Sequence, residues 1–180
     1  MGVFWRHGFE AASMAELSAA TGLNKPSLYG AFGDKAQLFR LALERYAQTQ
    51  AEPHLRALAG ESEVRAAMAG FLASMADGLA DPAKPGGCLL INATAACGSG
   101  DLPGSVEAAV QRAHALTRAA IHQRLAQAEQ EGQLPAGTAL DALTDFLLTV
   151  VAGMAVRAKA GAPRAALDPV IAMALGAIPR

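Results

Sequence analysis

Within about twenty residues near its N-terminus this chain starts, stops and restarts a helix, a pattern that few folds accommodate. Ser13 stands three residues before Glu16, the spacing of a capping box, in which each side chain takes the other residue's backbone N–H. The residues that follow predict a helix over 14–20, ended by Thr21-Gly22, because glycine enters the left-handed backbone that closes a helix at no steric cost. Pro26 then lies where a first helical turn accepts proline, which predicts a second short helix over 25–32. Leu17, Ala20, Leu23 and Leu28 fall at positions that hold the two helices at a fixed angle. Two short helices joined by a glycine turn make a helix-turn-helix, whose second helix has the shape to enter a DNA major groove.

The flanking segments continue the helical pattern. Residues 3–7 read as the end of a helix closed by Gly8, and Asp34 caps a helix with Leu38, Phe39, Ala42, Leu43 and Tyr46 along one face. Residues 1–46 therefore form one small module. Beyond it, Val64, Met68, Phe71, Leu72, Met75 and Leu79 make an apolar stripe that stops at Asp81-Pro82 and Pro85-Gly86-Gly87. A short helix over 88–97, a long one reaching about residue 130, and two more over 138–159 and 167–177 complete an all-α chain. The second half of the 138–159 helix is apolar nearly all round. In a protein of 180 residues that pattern predicts a second subunit against one side, and the last two helices would pair with their copies as a four-helix homodimer interface.

Composition narrows the function. A net charge of −1 excludes wrapping of nucleic acid by bulk charge, so any DNA binding must come from local geometry. No stretch reaches the roughly 18 apolar residues of a membrane span and no signal peptide opens the sequence, so a cytoplasmic location is expected. Cys88 and Cys97 lie nine residues apart. On one helix that is about 13 Å of rise, beyond the roughly 7 Å reach of a disulfide. No zinc spacing, phosphate loop, nucleophile elbow or convergent carboxylate set appears, so neither metal, cofactor nor enzyme activity is expected.

The segments from Phe4-Trp-Arg-His-Gly-Phe-Glu-Ala-Ala-Ser-Met14 and from Thr21-Gly-Leu-Asn-Lys-Pro-Ser-Leu-Tyr-Gly-Ala-Phe-Gly-Asp-Lys35 to Leu38-Phe39 resemble the DNA-binding signature of the TetR family. The resemblance covers nearly all of residues 3–46 and implies a three-helix DNA-binding domain at 1–46, with a ligand-binding and dimerisation domain at 47–180. It implies a regulator, in its commoner mode a repressor, that binds a palindromic double-stranded operator as a homodimer and is released by a small-molecule inducer. By the same resemblance Asn24, Lys25, Pro26, Ser27 and Gly30 face base edges or the groove wall. Tyr29 and Lys35 hold phosphates, and Ser13 with Met14 offers backbone N–H groups to a phosphate. Their chemistry agrees, since asparagine can pair adenine bidentately and a helix N-terminus attracts anions. A packed core aromatic is the other reading of Tyr29, and an ordinary solvated side chain that of Lys35.

The first helix is short and lacks a basic arm, and residues 1–50 hold five Lys/Arg against four acids. Either the true start lies upstream or DNA binding is weak, and the alternative function is a dimeric helical ligand-binding or interaction protein. For the ligand, Phe71, Met75, Phe146, Val150 and Met154 are candidates to line an apolar cavity, with Asn92, His114 and Thr117 as polar anchors. Cys88 joins them at a predicted helix N-terminus, where the dipole would favour a reactive thiolate; its other reading is a small buried hydrophobe.

Overall fold

The computed structural model describes residues 1–97 and 102–180, and every regular element among them is helical. Four helices form the head: α1 Gly2–Ala11, α2 Met14–Thr21, α3 Lys25–Phe32 and α4 Lys35–Tyr46. The start signals at Ser13 and Asp34 act as the sequence implies, and Asn24 adds a third. Ser13 and Glu16 complete the capping box of α2, and Asn24 and Asp34 accept N–H bonds at the heads of α3 and α4. Gly22 closes α2 in left-handed backbone at φ 70°. Ser13→Ala is expected to cost about 1 kcal/mol of stability, read as a shift in the denaturation midpoint with unchanged m-value.

Phe4 and Phe39, both fully buried, meet edge to face with ring centroids 4.9 Å apart, and Phe9 meets Phe39 at 5.3 Å. This aromatic cluster, with Leu17 and Leu28, is the core of the head. Leu23 departs from the expected packing set. It sits in the turn and is 38% exposed.

The body contains α5 Glu52–Gly60, α6 Val64–Leu79, α7 Leu89–Thr94, α8 Gly104–Gln130, α9 Leu140–Lys159 and α10 Asp168–Gly176. Helix α5 has no counterpart in the sequence expectations, and no loop separates head from body. A π-helical turn, Ala47–Ala51, carries the chain from α4 into α5. Tyr46, Ala51 and Glu52 keep right-handed helical backbone, so α4 runs into the first body helix without a break. Helix α6 is the central element, burying Met68, Phe71 and Leu72 against α5, α9 and α10. Helix α7 is shorter than expected, ending at Thr94.

Helix α9 buries Leu143, Leu147, Val151 and Met154 on one face, yet its opposite face also carries apolar groups. Phe146 is 40% and Val156 61% exposed, and Met173 on α10 reaches 77%. No helix among the described residues is long and apolar enough to cross a membrane.

Head and body are joined by more than the α4 ladder. Gly8 breaks α1 at φ 76°, so the carbonyls of Trp5 and Arg6 fall at a helix end, where acceptors lose their partners along the chain. Body residues take them. Asn92 Nδ2 donates to the Trp5 carbonyl at 3.3 Å, and Lys159 Nζ donates to the carbonyls of Trp5 and Arg6 at 3.4 and 3.1 Å. In return the Trp5 indole donates to the Gly87 carbonyl at 3.2 Å.

Candidate nucleic-acid interface and internal cavity

Helix α3 stands on the outside of the head, packed against α2 and α4 through Leu28, which is 1% exposed. Asn24, Lys25, Pro26, Ser27, Tyr29 and Gly30 are all exposed around it. Tyr29, at 48% exposure, is therefore no core aromatic, and its hydroxyl is free to reach beyond the protein surface. A row of polar groups on the open side of a rigid short helix is the geometry that major-groove reading requires.

Three residues of this set have prior engagements. Asn24 accepts the Ser27 N–H through Oδ1 at 2.9 Å, so pairing adenine with both ends of its amide requires that cap to open. The Ser13 N–H is held at 2.8 Å by Glu16 Oε2. The carboxylate of Glu16 thus occupies the anion site at the head of α2, and its bonds from Ser13 hold its pKa below the usual range. Of the expected phosphate donors there, Met14 keeps its place in the first turn. Lys35 donates to the Glu10 carbonyl at 3.0 Å and lies 4.7 Å over the Phe9 ring, so it is no merely solvated side chain: it fastens α4 to α1 while two of its three N–H bonds stay available.

Where α4 ends and the body begins, the helices enclose a cavity of about 460 Å³. Phe71, Met75, Cys88, His114 and Thr117 line it, as the sequence suggested. Four other candidates lie elsewhere. Phe146 and Val150 sit on other faces of α9, Met154 is buried in the packing of that helix, and the Asn92 amide is spent on Trp5. Their places on the wall are taken by Tyr46 and His54, which the sequence reading passed over, and by Leu148 and Ala152 on a different stripe of α9. The signal for Tyr46 was its position as the last apolar residue of α4, read only as packing.

Tyr46 links the cavity to the head. Its hydroxyl donates to Cys88 Sγ at 3.2 Å, and its ring meets the Trp5 indole edge to face at 4.9 Å. Burial raises both the phenol and the thiol above their ordinary pKa values. For Cys88 this reverses the expectation of a thiolate stabilised at a helix N-terminus: desolvation outweighs the help of the Tyr46 hydroxyl and the backbone N–H groups of α7. Both cysteines are free thiols. His54 bonds Ser74 Oγ through Nδ1 at 2.7 Å, and His114 bonds Thr94 Oγ1 at 2.5 Å. Burial lowers the pKa of each imidazole, more than the nearby Lys84 does at His54, so both stand neutral at pH 7. Among the described residues no group of three His, Cys, Asp or Glu side chains is placed to hold a metal.

An exposed helix-turn-helix head joined by one helix to a hollow helical body defines a DNA-binding regulator. The chain belongs to the TetR family: residues 1–42 match the model of bacterial regulatory proteins of the tetR family, and residues 60–174 match the tetracyclin repressor-like C-terminal domain. It is 34% identical over 165 residues to the HTH-type transcriptional repressor ComR of Escherichia coli K12, covering 90% of this chain and 77% of that protein. Against the HTH-type transcriptional repressor BdcR of the same organism it is 31% identical over 159 residues, covering 88% and 75%. Its fold matches the TetR family transcriptional regulator CifR, solved as a cysteine mutant with 26-base-pair operator DNA, with a TM-score of 0.91 and 33% identity over 99% of this chain and 92% of that one.

Proposed function

We propose that this protein is a ligand-responsive repressor, cytoplasmic, that binds a palindromic operator as a homodimer and leaves it when a small molecule occupies the cavity. The observation that carries this reading is the position of Tyr46. One residue is at once the last turn of α4, a wall of the cavity, and the ring against which Trp5 of the head is packed. An occupant that fits better when Tyr46 shifts will favour the head orientation that goes with the shift, which is differential affinity for two states. Two repressors among the relatives, and the operator complex of the regulator CifR, support the DNA half of the reading.

Residues 1–46 act as the reading head and 47–180 as the ligand-binding and dimerisation body. The homodimer forms through α9 and α10, whose Phe146, Val156 and Met173 lie open on the outside. Two heads then address half-sites about one helical turn apart. Fluorescence anisotropy with the DNA upstream of the protein's own gene tests the proposal across a salt series. Lys25→Ala is expected to weaken specific binding by about 1–3 kcal/mol, and Tyr29→Phe to weaken all sequences alike. Binding that does not distinguish this DNA from random duplex would refute it in favour of a helical ligand-binding protein.

A further inference from the structure

Among the described residues the cavity wall contains no Asp, Glu, Lys or Arg. Its surface is set by Phe71, Met75, Leu55, Leu148 and Val151, and its polar atoms belong to Tyr46, Cys88, two histidines and three threonines. The titratable members are held uncharged by burial: the phenol and the thiol have raised pKa values, and the imidazoles lowered ones. A carboxylate or phosphate in this space would meet no cation, and an ammonium would meet no anion. Either would forfeit its hydration for neutral partners only.

The hydrogen-bond inventory also has a direction. Thr94 Oγ1 donates to the Leu90 carbonyl at 2.8 Å and pairs with His114 Nε2 at 2.5 Å. Tyr46 spends its proton on Cys88, and its oxygen takes the backbone N–H of Leu89. Thr117 donates to the Ala113 carbonyl at 3.3 Å and Thr149 to the Asp145 carbonyl at 2.8 Å. The hydroxyl protons of Tyr46, Thr94, Thr117 and Thr149 are committed inside the protein, so the hydroxyl oxygens of the wall meet an occupant as acceptors.

We infer that the cavity takes an uncharged, mainly apolar small molecule whose one polar head donates a hydrogen bond, the chemistry of an aromatic or alicyclic alcohol or phenol. This rests on the cavity being the effector site of the repressor proposed above. A volume of about 460 Å³ suits a two-ring or similarly sized compound.

A matched naphthyl series tests the charge rule with the full-length protein: 2-naphthalenemethanol, 2-naphthoate and 2-naphthylmethylammonium, titrated by calorimetry at pH 7. The alcohol is expected to bind at least tenfold more tightly than either ion, and the methyl ether of the alcohol, which cannot donate, more weakly than the alcohol. Ala152→Phe, which fills the cavity from α9, is expected to abolish alcohol binding; the milder Thr117→Leu serves the same purpose should the first variant lose its helical circular dichroism. Tighter binding of either ion, equal binding of the ether, or no binding of the alcohol overturns the inference. DNA release is read separately by anisotropy. Alcohol binding without release would leave the ligand class standing and sink the inducible-repressor reading, whereas an ion that binds and releases DNA would do the reverse.

Discussion

Trp5→Ala is expected to destabilise the protein by about 3–5 kcal/mol, the cost of truncating a large buried aromatic side chain. In a chain of this size that lowers the melting temperature by about 6–20 °C. Trp5, the only tryptophan in the sequence, is 3% exposed and lies between head and body. Truncation removes the indole bond to Gly87, empties the space beside the Tyr46 ring, and leaves the Gly87 carbonyl without that donor. Trp5→Phe narrows these effects, because it keeps a six-membered ring in the joint while deleting the N–H and the rest of the five-membered ring. It is expected to cost about 1 kcal/mol while retaining DNA binding. If the alanine variant melts within 2 °C of the parent, the Trp5 joint is not a structural link between head and body, and the path from cavity to head through Tyr46 loses its support.

The same joint has a backbone half that constrains which residues can replace its glycine. Gly87 adopts φ 67°, and a Cβ there would stand 3.0 Å from both the Ala155 carbonyl oxygen and Lys159 Cβ. A glycine at this position lets the 86–87 turn press against the end of α9, close to the lysine that caps α1. The cavity wall, the turn after α6, the end of α9 and the end of α1 are thereby packed as one unit. Sub-ångström shifts at one of these points pass to the others because a packed interior does not deform smoothly.

Most of the head was legible in the sequence because its boundaries are set by local chemistry. Ser13 with Glu16, Pro26, Gly22 and Asp34 each act over three or four residues, and each does in the structure what its type and spacing imply, whereas the cap that Asn24 supplies was not read. What the sequence could not convey was competition for the same atoms. Glu16 fills the anion site that Ser13 would offer, and Lys35 is drawn to the Glu10 carbonyl by a fold contact across 25 positions. The body was harder to read for a different reason. The Ala-Gln-Thr-Gln-Ala turn has no hydrophobic period, and its π geometry breaks the registry between α4 and α5, which hid α5 and with it His54. Helix α9 is apolar on opposite faces, so periodicity could not say which apolar residues look into the cavity and which look away from the chain. Leu148 and Ala152 look in, and Phe146 does not.

That outward face leads to the second large effect: Gly153→Arg is expected to convert a dimer into a monomer. Ala142, Phe146, Gly153 and Val156 are all exposed and fall at helical spacing along α9, with Thr149 of the cavity rim between them. A Cβ added at Gly153 would meet nothing within 4 Å in its own chain, so no contact within the protomer requires the glycine. In the dimer proposed above a closely approaching second helix would require it, since two backbones come nearest where side chains are absent. Across a two-fold interface each residue counts twice, and burial of side chains such as Phe146, Val156 and Met173 contributes up to about 1.5–3 kcal/mol apiece. Arginine at the seam replaces that gain with two like charges facing each other in an apolar setting. Sedimentation should show the monomer, with the melting temperature of the head unchanged. Because a single head engages one half-site without the avidity of the pair, operator affinity should fall by about 100-fold or more. A Gly153→Arg protein that stays dimeric and keeps its operator affinity would place the dimer seam on another face, whereas a monomer with undiminished affinity would mean that one head alone carries recognition, and the palindrome would lose its role.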